Sequence, residues 1–365
     1  MSTVNVNRVV DASGGVLAPI SSVMRNRIIN GAMVIDQRNA GASVTVTSDF
    51  TFSVDRWMMR NTASSKLSVQ QNAGSVTPPS GFRNYVGVTS LSSYSVGSTD
   101  FFAIEQRIEG FNFADLMFGT ANAQTVTVSF WVRSSLTGTF GGCLRNGASD
   151  YNYPFTYSIS SANTWEYKTV TIAGATAGTW VTNNGIGAIL GFNLGLGSTY
   201  TGTGNTWNSG ANGPYNPTGA TSVVGTNGAT FYITGVQLEV GTQATSFEYR
   251  QYGTELALCR RYFYRNYPGV VGSIFNSGVF NGTTNLVFSA ILPVNMRAAP
   301  TFSQVNTGVA DGVTGQAVTS VGTVTMGTDS GLVVLNNTTA SFSAGRGGYL
   351  YTNNATSWID FSSEL

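Results

Sequence analysis

Residues 101–111, FFAIEQRIEGF, and 125–135, TVTVSFWVRSS, decide the fold. In the first, Phe102, Ile104, Gln106 and Ile108 share one face, and Phe101, Ala103, Glu105, Arg107 and Glu109 share the other. In the second, Val126, Val128, Phe130 and Val132 alternate with Thr127, Ser129, Trp131 and Arg133. A period of two is the signature of a strand with one face on a core. The same alternation runs through 85–89, 165–172 (WEYKTVTI) and 231–240 (FYITGVQLEV). Strands of this length joined by Gly/Asn-rich turns, with little helix between them, predict two packed antiparallel sheets of jelly-roll type. A closed barrel is the nearest rival, but the long insertions between strands favour the sandwich. Between the two opening strands, Phe113, Leu116 and Met117 have helical spacing, which predicts a short helix capped by Asn112.

Composition narrows the function. The chain of 365 residues has 10% charged side chains, 44 glycines, no histidine and a formal net charge of +1. Without histidine there is no Ser–His–Asp or Cys–His catalysis and no histidine metal site. Near-neutrality, with Lys66 and Lys168 the only lysines, argues against a nucleic-acid or anionic-membrane surface. No apolar run is long enough to span a bilayer. No basic region followed by an apolar one opens the chain, so no secretory signal is expected. Cys143 and Cys259 are far apart and are expected to be buried free thiols. No spaced acidic motif or cofactor motif is present, so no metal and no cofactor is expected.

Four regions follow along the chain. Residues 1–27, free of aromatics, are expected to form an N-terminal attachment arm that orders by docking on a partner. Residues 28–249 are the jelly-roll domain. Residues 250–269 are a linker helix starting from a Thr254 cap, in which arginines interleave with tyrosines and pack between the domains. Residues 270–365, with six charged residues, form a smaller C-terminal β-sandwich whose edges need protection by neighbouring chains.

Two chemistries are open. Glu105 and Glu109 fall on one strand face with Arg107 between them, a spacing that fits a glycosidase-type carboxylate pair or a solvated strand face. The solvated face is favoured, so no catalytic residue is assigned and the chain is not expected to be an enzyme. Gln106, on the apolar face, either braces the core or points into a groove. Sugar binding is the second chemistry. Aromatic rings bury the C–H faces of carbohydrate at low entropic cost, and neighbouring amides fix hydroxyls. Tyr200, Trp207 and Tyr215, among Asn205, Asn208, Asn212 and Asn216, lie in a stretch with no charge from Thr169 to Leu238. Tyr151 and Tyr153 are a further pair. The alternative for Trp207 is that it plugs the loop against the sandwich. Trp131 and Trp165 read as sheet-face packing.

NRIINGAMVIDQRN at 26–39, EQRIEGFN at 105–112, VTVSFWVRSS at 126–135, 234–265 and the closing SWIDFSSEL together resemble bacteriophage and prophage tail-fibre-like virion proteins. The resemblance implies a jelly-roll domain like a carbohydrate-binding module, a linker helix and a terminal β domain. It also implies a homotrimer whose N-terminal region faces the particle and contacts other virion proteins. The expected role is a tail fibre or receptor-binding appendage, assembled in the host cytoplasm, located on the virion and contacting host surface glycan. A capsid fibre, decoration or collar protein is the alternative, and a depolymerase tailspike a further one.

Overall fold

The computed structural model describes residues 9–10, 16–18, 24–211, 213–337 and 342–365. Most of the arm expected at 1–27 therefore lies outside the described residues, as does Asn212.

Two sheets face each other in the first half. One has seven strands in the order Asn208–Ser209, Tyr151–Ile159, Gly138–Asn146, Ile186–Leu196, Phe101–Glu109, Met58–Asn61 and Thr51–Phe52. The other has six, in the order Glu166–Ile172, Val126–Ser134, Thr230–Val240, Val86–Ser90, Leu67–Gln71 and Val44–Thr45. Every pairing within these two sheets is antiparallel. Neighbours distant in sequence, such as Val126–Ser134 beside Thr230–Val240, make the non-local connections of a jelly roll. The protein is all-β apart from one α-helix and four short 3-10 turns among the described residues.

The alternation read from the sequence sets the core. Val126, Val128, Phe130 and Val132 meet Phe102, Ile104, Leu190 and Phe192 from the opposing sheet, with Phe130 and Phe192 edge to face at 4.8 Å. Gln106 braces this core. Its amide donates to the Ile29 carbonyl and accepts from the Ile29 N–H, both at 2.8 Å, as a backbone amide would in a ladder. Both cysteines are buried and free. Burial pushes the Cys143 thiol up to about 12, leaving it unreactive.

The helix expected after Asn112 does not form. Gly110–Asn112 and Ala114–Leu116 are separate 3-10 turns, and Met117 closes the second at φ 55°. Phe113 and Leu116 still reach the core, but the left-handed turn swings Met117 into solvent. The linker helix does form, from Tyr252 to Arg260. It starts before Thr254, and Gln251 at its N-cap makes no side-chain capping bond. Its first turn is anchored instead by Glu255, which accepts the Asn30 N–H.

Beyond the helix, Phe263–Asn266 pairs with Trp358–Ser362, which in turn pairs with Thr301–Val305. A second sheet of seven strands lies with this one around a separate core that includes Phe280, Leu286, Phe288, Leu335, Leu350 and Phe361. The C-terminal residues then return to the first sandwich. Arg56, fully buried, donates to Glu364 and to the Arg107 carbonyl, with its guanidinium 3.6 Å over the Tyr262 ring. Arg107 donates to the Leu365 carbonyl at 2.5 Å, and Arg297 to that of Ser363 at 2.8 Å.

Asp55, also fully buried, sits at this junction beside Gln37 and Arg38. Burial, opposed by Arg38 and Gln37, leaves its carboxyl raised to about 6. An unfolded Asp releases its proton near 3.9, so the native state holds the extra proton between the two values. Stability therefore falls as pH rises from about 4 through 6, by about 3 kcal/mol from this group. In urea midpoints across that range, the wild type should lose stability relative to Asp55→Asn as pH rises, since the other carboxyls titrate alike in both proteins.

Candidate carbohydrate-binding groove

The structure splits the five aromatic residues singled out in the sequence into two packed groups. Trp207 stacks on Tyr151 at 5.4 Å and 16°, meets Tyr153, Trp180 and Phe118 edge-on, and donates its indole N–H to the Ala173 carbonyl. It pins the 197–228 loop to the sandwich, assisted by the pairing of Asn208–Ser209 with Tyr151–Asn152. Tyr200 stacks on Tyr215 at 5.7 Å, and both meet Phe101 edge-on. Tyr215 is buried, and its hydroxyl donates to the Ser149 carbonyl. Asn216 accepts from the buried Asn193 amide at 2.9 Å, and Asn205 ties to Thr156. Among the described residues these contacts hold the loop, with Tyr200 and Tyr215 seated on Phe101 at the outward face of the Phe101–Glu109 strand.

That cover overturns the solvated-face reading of the acidic strand. Glu105 is fully buried and accepts from Arg145 at 2.6 Å, with Arg60 at 3.5 Å. Glu109, 1% exposed, takes both guanidinium nitrogens of Arg261 at 2.6 and 2.9 Å and the Tyr262 hydroxyl at 2.6 Å. Burial raises the Glu109 carboxyl, but those hydrogen bonds and the Arg261 charge outweigh it and hold it below the usual range. The two carboxylates are bound to separate arginines, and both are buried.

Among the described residues, part of the opposite outer face, on the six-stranded sheet, stays open. Trp131 pairs across strands with Tyr167, their rings 5.4 Å apart and tilted by 49°. Trp131 is half-buried and Tyr167 is 44% exposed. Opposite them stands a wall of three mutually packed rings, Phe82, Phe247 and Tyr249, with centroids 4.9 to 5.4 Å apart. Tyr249 donates its hydroxyl to the Gly81 carbonyl and so locks the two wall segments together. Gly235, at φ 63°, makes room at the base, where a Cβ would come within 2.6 Å of the Phe82 ring and 3.2 Å of the Trp131 indole. The result is a groove of about 850 Å³ lined by these rings and by Ser80, Ser129, Thr245 and Ser246, with no charged side chain.

Trp131 and Tyr167 were not among the residues expected to bind. The signal was present, because alternation already put Trp131 on the face opposite Val128, Phe130 and Val132. Among the described residues no group of His, Cys, Asp and Glu could hold a metal, and no helix is long and apolar enough to cross a membrane.

No family model and no curated protein matches the chain. Solved structures with a similar arrangement include the enzymatically active domain of tailspike protein 4 of bacteriophage CBA120, at 11% identity and TM-score 0.33 over 60% of this chain and 22% of that one. A carbohydrate-binding module in complex with β-1,4-galactotriose is similar at 10% identity and TM-score 0.30, over 60% of this chain and 99% of the module. The family 11 carbohydrate-binding module of Clostridium thermocellum, in complex with a β-1,3-1,4-mixed-linked tetrasaccharide, is similar at 12% identity and TM-score 0.26, over 57% and 98%. The chain thus spans less than a quarter of the tailspike and nearly all of each module.

Proposed function

We propose that the protein is a non-catalytic glycan-binding protein that holds uncharged sugar residues in the Trp131–Tyr167 groove. The uncharged groove with a two-ring floor and a three-ring wall carries this reading. Exposed rings fixed by their neighbours present flat apolar faces to sugar C–H groups without losing rotamer freedom on binding. The seryl and threonyl hydroxyls and loop carbonyls around them suit sugar hydroxyls. A panel of immobilised neutral glycans, followed by calorimetry on those retained, tests it; no retention of any neutral oligosaccharide would remove the reading.

The setting we infer is a bacteriophage virion, with the chain as a homotrimeric tail-fibre or receptor-binding appendage attached through its N-terminal arm. Low charge and the quoted sequence resemblance support it. So does the outer face of the seven-stranded C-terminal sheet, where Ile274, Val279, Ile291 and Leu332 are exposed, Ile291 at 81%. The strands Ile274–Phe280, Asn285–Ile291, Ser320–Met326, Ser330–Asn336 and Gly347–Thr352 carry no charge, so copies of this face do not repel one another. Weak sugar sites repeated on one particle would then gain by avidity. Sedimentation equilibrium should give three protomers and Ile291→Glu should shift the species toward one; a well-ordered wild-type monomer at dilute concentration would count against the assembly.

A further inference from the structure

On the far side of the Phe82–Phe247–Tyr249 wall lies a second cleft of about 240 Å³, built from the 26–34 segment, the 81–84 loop and residues 247–255. It shares Gly81, Phe82, Phe247 and Tyr249 with the groove, so a single wall separates the two spaces. Its chemistry differs from that of the groove, because Arg83, Arg250, Glu248 and Glu255 all line it.

Three of these four charges are occupied. Glu248 accepts the backbone N–H groups of Met24, Arg25 and Asn26 and an Arg250 nitrogen. Burial raises its carboxyl, but these amides and the Arg250 charge outweigh burial and hold it below the ordinary range. Glu255 accepts the Asn30 N–H and faces Arg250. The terminal nitrogens of Arg250 reach the Ile28 and Asn26 carbonyls as well as both glutamates. Yet the Nε–H of Arg250, on a side chain 6% exposed, is buried without an acceptor. Arg250 is therefore a fixed charge behind the cleft wall, held by the chain's own carbonyls and glutamates. Arg83, exposed at the rim, has no ion pair or hydrogen bond among the described residues. Tyr252, 63% exposed, adds a ring beside them.

We propose that this cleft is an anionic subsite that takes the carboxylate of an acidic sugar, with Arg83 as its specificity-determining residue. The proposal rests on the reading of the groove as a glycan site and extends it: a chain lying on Trp131 and Tyr167 would cross the wall and place a uronic-acid-type residue in the cleft. A carboxylate is acceptor-only, and the planar fork of the unpartnered Arg83 fits its two oxygens. The two glutamates are turned onto backbone N–H groups and share Arg250, so that Arg83 is the charge left facing the ligand.

The test measures affinity, by calorimetry at two salt concentrations, for a uronate-containing oligosaccharide and for the same oligosaccharide with its carboxyl reduced to the alcohol. The wild type should favour the acidic form by about tenfold, the range of one charged hydrogen bond. That preference should shrink at the higher salt. Arg83→Ala, a change on an exposed loop, should abolish the preference and leave the reduced form's affinity unchanged. Trp131→Ala should weaken both forms together. Equal wild-type affinity for the two forms, or a preference that survives Arg83→Ala, overturns the anionic subsite while leaving the groove intact. Acid binding that ignores Trp131→Ala but vanishes in Arg83→Ala supports the cleft and removes the groove. Binding of neither form removes both.

Discussion

A Glu105→Leu variant should lose about 3–5 kcal/mol of stability, the cost of stripping one partner from a buried ion pair. Arg145 would remain with a side chain 3% exposed and no carboxylate partner, its charge answered by the Ser149 hydroxyl at 3.0 Å and by the rings of Tyr215 at 5.0 Å and Phe101 at 5.8 Å. Arg60 would also lose a partner, but it is 22% exposed and keeps Asp49. The deficit falls on a central strand, so it should appear as a lower urea midpoint of the whole first sandwich with little change in slope. Replacing the pair together, Glu105→Leu with Arg145→Met, should restore most of the loss, because neither charge is then left buried alone. The cycle of wild type, two single variants and the double variant measures the coupling directly. Additive single effects would show that the pair is not the source of the deficit.

Trp131→Ala should reduce glycan affinity by about thirtyfold, equivalent to about 2 kcal/mol for an aromatic anchor at the centre of a site. Tyr167→Ala should cost less, since Tyr167 sits on the edge strand and covers one end of the floor. Both side chains point away from the core cluster, so the urea midpoint should move far less than for Glu105→Leu. Trp207→Ala gives the contrasting pattern. Its ring packs against Tyr151 and Trp180 and closes the loop, so it should lower stability and leave intrinsic affinity near wild type. Affinity lost in Trp207→Ala and kept in Trp131→Ala would return the site to the loop.

The segments that carry the sequence resemblance converge in space. Residues 26–39 and 234–265 meet through Arg250, Glu248 and Glu255. Residues 105–112 meet the helix end through Glu109 and Arg261, and the closing residues through Arg107 and Leu365. The arginines of the dense arginine–tyrosine passage are therefore engaged within the chain: Arg250, Arg261 and Arg265 are bound to carboxylates, and Arg260 lies 5.2 Å over the Tyr264 ring.

By itself the sequence determined the all-β class and, for strands such as Phe101–Glu109 and Val126–Ser134, which side chains share a face, because those strands carry a period of two locally. Gly138–Asn146 and Ile186–Leu196, buried on both faces, carry no such alternation and were not read from the sequence. Alternation says that Glu105 and Trp131 both point away from the core, and it says no more than that. Only the tertiary structure decided which of those outward faces is covered. The loop at 197–217 and the junction with the C-terminal sandwich close over the acidic strand, because Arg145 and Arg261 are there to neutralise its carboxylates and Phe101 is there to seat Tyr200 and Tyr215. Among the described residues no such partner covers Trp131 and Tyr167, and their rings remain available to a ligand. The cover of a face is a contact between residues far apart in sequence, and no local pattern records it.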